Sequence, residues 1–218
     1  MNTRFRFRAL ARLTLALAPL GLAACANQAI TQTGFLGQYD RLATKGGDEQ
    51  ALVYSSSSAG GHSDRRVVIE DVQLRLPRSQ AEALPDKLVN QARADYRTAL
   101  QAAFAQRYEV VDASTAEDAL RVRAAITGLK PSSPTLNTVT FLLVGPVSNG
   151  GVSTESEVID PRDGRRIAAQ ATYTNGHLFN GGLGGYFDPL GHVRVAFDAH
   201  AVKLRDLTLV DVDTATSR

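Results

Sequence analysis

The chain has 218 residues, and its 24 basic and 22 acidic side chains nearly cancel. That balance supplies no basic footprint for nucleic acid. One cysteine and four histidines exclude a disulfide framework and leave few soft metal ligands. The 44% of hydrophobic residues suits a single domain with a real core.

The start of the chain has the build of a secretory leader. Arg4, Arg6, Arg8 and Arg12 form a positive region without an acid, and residues 13–22 are apolar apart from Pro19 and Gly21. Roughly ten residues of helix rise about 15 Å, half of a ~30 Å hydrocarbon layer, which is too short to span it. The run Leu22-Ala23-Ala24-Cys25 that closes this stretch resembles the lipobox of bacterial lipoproteins. The resemblance implies cleavage between Ala24 and Cys25 and acylation of Cys25. It also implies a membrane partner reached through the lipid anchor. Ala26 is not the Asp of the inner-membrane sorting signal, which points to the outer membrane, periplasmic side. Setting aside the four leader arginines leaves a slight excess of acid, so the basic pI belongs to the leader.

Four regions are expected: residues 1–24 as signal peptide, 25–33 as lipidated cysteine and tether, 34–210 as one domain, and 211–218 as a disordered tail. Gly34-Phe35-Leu36-Gly37-Gln38-Tyr39-Asp40-Arg41-Leu42 is an apolar-aromatic patch among turn residues, read as a short segment docking on the domain. Residues 68–76 alternate as a half-buried strand, with Val68, Val72, Leu74 and Leu76 inward, ended by Pro77. A helix is predicted from Pro85, where the missing N–H costs nothing and Asp86 favours the dipole. Leu88, Ala92, Tyr96, Leu100 and Phe104 form its apolar stripe through Gln106. Residues 108–111 read as a short strand, and Ser114 as the cap of a helical turn over 115–118. Leu120, Val122, Ala124 and Ile126 alternate inward along the next strand. Residues 152–160 and 166–174 form a hairpin about Asp160-Pro161-Arg162-Asp163-Gly164, with Ile167, Ala169, Ala171 and Tyr173 on one face. The last helix runs from Asp188 or Pro189 to Arg205, burying Val193, Ala196, Phe197 and Val202. The fold class is α+β: a largely antiparallel sheet of about five strands with two main helices packed on one face.

Several stretches together carry a family resemblance. They are Gly34-Phe35-Leu36, Tyr39-Asp40, Ala103-Phe104-Ala105-Gln106-Arg107-Tyr108-Glu109-Val110-Val111-Asp112 and Leu120-Arg121-Val122-Arg123-Ala124-Ala125-Ile126-Thr127. Leu136-Asn137-Thr138, residues 155–160 with Gly164, and Ala196-Phe197-Asp198 fit the same order. In this order and spacing they resemble the bacterial lipoproteins grouped as the DUF3313 family. That implies an envelope lipoprotein with no catalytic residues and no cofactor to carry over. The chain departs from the pattern after Asn137, in a short glycine-rich insert, and at His200, where a bulky aromatic is usual.

Asp188, His192 and His200 have helical spacing, but metal needs three or four converging ligands, and such side chains are usually solvated. No Gly-x-Ser-x-Gly elbow is present, and Gly181-Gly182-Leu183-Gly184-Gly185 lacks the Lys-Ser/Thr of a phosphate loop. Glu155 and Glu157 share a strand face as paired catalytic carboxylates do, yet exposed strand carboxylates opposite Arg165 or Arg166 would balance charge in the same way. The expectation is therefore a non-enzymatic protein. Residues 141–147, with Phe141 and Leu142, are apolar on both parities and are either buried or a contact surface. The aromatic-glycine stretch 175–186 and its neighbour raise the same question, with Phe179, Tyr186 and Phe187 as contact residues. Two readings stand: an accessory subunit binding an envelope protein, or a carrier of a small apolar ligand such as lipid in a groove between sheet and helices.

Overall fold

Three long strands organise the domain. β6 (Leu120–Lys130), β7 (Gly151–Asp160) and β8 (Arg165–Asn175) pair antiparallel in that order. The β7–β8 turn closes where Gly164 takes φ +70° and its N–H donates to the Asp160 carbonyl at 2.9 Å. Glycine reaches that left-handed region without a Cβ penalty. The structure is a computed structural model and describes residues 30–44, 50–56, 66–114, 116–135, 150–175 and 187–209. Ala24 and Cys25, Phe141 and Leu142, and Phe179 and Tyr186 lie outside those residues.

Five shorter strands complete the sheet: β1 (Ala43–Thr44), β2 (Ala51–Ser55), β3 (Arg66–Ile69), β4 (Gln73–Leu74) and β5 (Glu109–Val110). The order is β1-β2-β8-β7-β6-β3-β5, with β4 also beside β6. The sequence predicts about five strands in a largely antiparallel sheet; among the described residues the sheet has eight and is mixed. β3 and β4 run parallel to β6, and β5 runs parallel to β3. The cause is the helix between them, since parallel neighbours need a long crossover and not a hairpin.

That crossover is α2 (Asp86–Phe104), preceded by a six-residue helix α1 (Arg78–Ala83) that the sequence does not announce. Pro85 is the N-cap residue of α2, and its carbonyl accepts from Leu88 and Val89. The helix ends at Phe104, and the turn that follows covers the residues read as its last helical positions. Ala92, Tyr96, Leu100 and Phe104 are buried as the stripe predicts, with Leu88 half-buried. α3 (Gly191–Leu209) packs beside α2 on the same sheet face, and Tyr96 stacks on Phe197 at 4.6 Å. The predicted helical turn after Ser114 is not helical among the described residues.

Two bulges revise the predicted faces. Ile69 opposes Val122 while Gln73 opposes Ala125, so one residue is extra on the β3–β4 side. Val67 and Ile69 therefore face the helices before the break, Val72 and Leu74 after it, and Val68 packs on the other side with Ala116 and Ala119. On β8, Val158 opposes Ala168 and Ile159 opposes Arg166, which leaves Ile167 unopposed. Ile167 joins the helix-side core, whereas Ala169 and Ala171 face the opposite side.

Leu100 and Leu120 are fully buried in the main core. Leu100→Ala should lower the free energy of unfolding by about 2–5 kcal/mol. Arg121→Ala, whose guanidinium makes a long 3.4 Å bond to the Ala116 carbonyl, should shift a urea midpoint little. A loss from Arg121→Ala as large as that from Leu100→Ala would mean that the Arg121 side chain is packed into the fold.

Candidate functional site

The sheet face away from α2 and α3 carries an unusual load. Glu155 and Glu157 sit two positions apart on β7 and therefore on one face. They are only 0% and 3% exposed. The sequence reading treats them as exposed strand carboxylates; they are buried because residues 30–42 form a strap across this face. Phe35, Leu36 and Leu42 pack there on Ala125, Ala169 and Ala171, whose small side chains leave room for it. Residues 31 and 33, read as tether, are hydrogen-bonded to the sheet.

A buried carboxylate needs donors, and each of the two finds them differently. Glu157 lies between Arg123 of β6 at 3.1 Å and Arg166 of β8 at 2.9 Å. Glu155 faces Ala125 and Ala171 across the strands, so its donors come from the strap. The Thr33 N–H donates to it at 2.6 Å and the Tyr39 hydroxyl donates to its other oxygen. The Tyr39 oxygen also accepts from the Gly34 N–H at 2.8 Å. Gly34 and Gly37 take φ +83° and +71°, which lets the strap turn tightly enough for this. Burial, then the neighbouring Glu155 carboxylate, raise the Tyr39 phenol above its ordinary value.

Arg166 fastens the strap a second time, donating to the Gln38 carbonyl at 3.0 Å and to the Leu36 carbonyl. Arg123 lies 5.5 Å over the Phe35 ring, a cation–π arrangement. Thr31 and Thr127 join their hydroxyls at 2.5 Å. Beside this clasp is an open groove of about 500 Å³, bordered by Gln38, Arg41, Tyr54, Arg123, Arg165 and Arg166. Arg41 sits 5.9 Å over the Tyr54 ring. A second open cleft of about 620 Å³, bordered by Glu70, Asp71, Arg97 and Asp112, lies against β3 and α2. Both carboxylates of the clasp are engaged by donors, and the arrangement holds a segment in place.

The other predicted residues scatter. His192 and His200 are buried, not solvated, because α3 turns them inward on the stripe that carries Val193, Ala196 and Phe197. His200 has Thr154 at 3.0 Å and Thr174 at 2.8 Å on its two ring nitrogens. Asp188 pairs with Arg194 at 2.5 Å and accepts from the Leu190 N–H at 2.9 Å. Among the described residues no three of His, Cys, Asp and Glu group as metal ligands. Phe187 is 43% exposed. Sequence reasoning named Arg166 as a charge partner of these glutamates, which Glu157 has at 2.9 Å; it missed Arg123 and the bond from Tyr39 to Glu155. The available signal was Ser153-Thr154-Glu155-Ser156-Glu157, polar on both parities of a strand, which requires polar partners on both faces.

Arg123→Ala should cost about 1.5–3 kcal/mol, the value of a charged hydrogen bond, unlike its neighbour Arg121. Tyr39→Phe should speed amide exchange at Gly34 while leaving α2 protected; unchanged exchange at Gly34 would remove Tyr39 from the clasp. Burial pushes the Asp188 carboxyl up, but hydrogen bonds from Arg194 and Leu190 and the Arg194 charge outweigh it, leaving it below the usual 3.8. A depressed carboxyl contributes stability above its unfolded value and loses it as pH falls through the folded one. Asp188→Asn should therefore flatten the loss of stability measured by urea unfolding as pH is lowered below about 4, and an unchanged acid limb would count against the pair.

Several solved structures share part of the chain trace. The PelC dodecamer from Paraburkholderia phytofirmans is 11% identical, with 65% of this chain and 89% of that chain covered at a TM-score of 0.40. Protein XCC0632 from Xanthomonas campestris is 8% identical, with 71% and 90% covered at 0.41. Lipoprotein GNA1162 from Neisseria meningitidis is 11% identical, with 51% and 83% covered at 0.29. At these values the likeness says nothing about function. No curated protein sequence matches the chain. A family model described as a protein of unknown function, DUF3313, matches residues 31–204, from the start of the strap to the last turns of α3. The chain belongs to the DUF3313 family.

Proposed function

We propose that this protein is an outer-membrane lipoprotein, acylated at Cys25, whose periplasmic domain is a non-enzymatic accessory subunit that binds an envelope protein. The clasp carries the reading. Of the two carboxylates that resemble an acid–base pair, Glu155 is bonded directly to the segment that follows Cys25, and Glu157 holds Arg166, which donates to the same segment, so their chemistry fastens that segment to the sheet. Among the described residues no helix is long and apolar enough to cross a membrane, and a lipid at Cys25 supplies attachment without one. The carrier alternative asks for an enclosed apolar pocket. The clefts of about 500 and 620 Å³ are open, and each mixes charged side chains with apolar ones such as Phe35 and Val111, which supports a polypeptide partner instead.

Cys25→Ser should lose acyl label and leave the membrane fraction; a Ser variant that stays bound with its label would sink the anchor. For the partner, a photo-crosslinking residue at Gln38 in the full lipidated chain should yield a discrete protein adduct in the envelope. Arg41→Glu combined with Arg165→Glu should abolish that adduct without unfolding the domain. Stoichiometric lipid bound to the protein, with no adduct, would favour the carrier.

A further inference from the structure

We infer that the domain stands end-on upon the bilayer, with the sheet end at Lys130, Gly151 and Asn175 against the headgroups and the Asp160–Gly164 turn directed away. The inference rests on acylation of Cys25 and adds a surface that the lipobox does not specify. Its basis is the direction in which the strap is stitched. Thr31 is bonded to Thr127, Thr33 to Glu155, and the carbonyls of Leu36 and Gln38 to Arg166. Since Gly151 begins β7 and Asp160 ends it, the strap enters at the Gly151 end and advances toward the hairpin turn.

Reach favours the near end of the sheet. Cys25 precedes the first pinned side chain, Thr31, by six residue steps, at most about 21 Å of extended chain. Thr31 is pinned at Thr127, beside the Ser153–Thr154 level of β7, so the Asp160 end lies about 20–23 Å further along the strand and the Gly151 end about 7–10 Å back, at about 3.3 Å per residue. With the strap clasped, only a tether fully stretched along the sheet would bring the hairpin turn to the headgroups. The near end lies well within reach.

The described residues at that end also suit an interface. Lys130 pairs in register with Gly151, and Gly151 with Asn175. The N-terminal end of α3 is tied to the same place, because the Ser132 N–H donates to the Pro189 carbonyl at 3.0 Å. Phe187, two residues before Pro189, is one of two large hydrophobic residues exposed among those described, and Lys130 is exposed. Aromatic rings and long cations are what membrane interfaces attract. The acid nearest to Phe187, Asp188, is neutralised by Arg194.

The sole cysteine of the sequence is blocked once acylated, so a second cysteine takes a spin label selectively. The test uses the full lipidated chain in phosphatidylethanolamine–phosphatidylglycerol vesicles doped with a nickel-chelating lipid. Labels at Lys130→Cys and Phe187→Cys should be relaxed by the nickel several-fold more strongly than a label at Asp163→Cys. Floating, acyl-labelled protein with equal relaxation at all three sites, or a stronger effect at Asp163→Cys, would overturn the end-on placement and leave the anchor standing. Protein that carries no acyl label and does not float would overturn both. The three sites are exposed, so the labels leave the core intact, and circular dichroism of each variant checks this.

Discussion

Two carboxylates buried on the central strand are the constraint on which the rest of this domain depends. Neither Glu155 nor Glu157 can lie under apolar cover without charge-assisted partners. Glu157 draws Arg123 and Arg166 from the strands on either side, which ties β6, β7 and β8 at one level. Glu155 has alanines across both strands and is satisfied from the strap. Strap and sheet are therefore interdependent: residues 30–42 form no regular element beyond turns, and their place is set by the groups they bond.

The opposite face of β7 repeats the principle without charge. Thr154 and Ser156 point toward the helices, into a core otherwise made of Tyr96, Phe104, Leu120, Ile126 and Phe197. Thr154 meets Thr172 at 2.8 Å and one ring nitrogen of His200, and Gln170 donates to Ser156 and to the His200 carbonyl. A one-residue slip of β7 would drive the glutamates into the helix-side core and the threonine out to the strap, since side chains alternate faces. Polar partners on both faces thus give β7 one acceptable register.

The strap also links fold to role. Its fastening to the sheet begins six residues after Cys25, so an anchor at that position would act on the sheet almost directly and not through a free linker. Residues Thr135 and Gly150, and Asn175 and Phe187, flank the two segments that carry Phe141, Leu142, Phe179 and Tyr186. On the orientation inferred above, those flanks lie at the membrane end, while Arg165 of the charged groove lies by the hairpin turn at the other. The family resemblance and the family membership agree, and neither supplies a reaction.

Local chemistry was legible along the chain. The helix after Pro85, the alternation from Leu120 to Ile126 and the Asp160–Gly164 turn follow from φ restriction, periodicity and glycine's freedom, which act over a few residues. The patch from Gly34 to Leu42 was readable as a docking segment. The resemblance of Leu22-Ala23-Ala24-Cys25 to a lipobox, too, rests on consecutive residues. What only the tertiary structure decided depends on residues far apart in the chain. The parallel pairing of β3 and β4 with β6 follows from where α2 packs, and the two bulges that reassign Val68 and Ile167 follow from register against neighbouring strands. Glu155, Glu157, His192 and His200 look like surface side chains in isolation. Glu155, Glu157 and His200 are buried with donors and acceptors that arrive from other elements, as many as 122 residues away for Thr33 and Glu155, and the solvation of a polar group is set by what surrounds it in space, not by its neighbours in the chain.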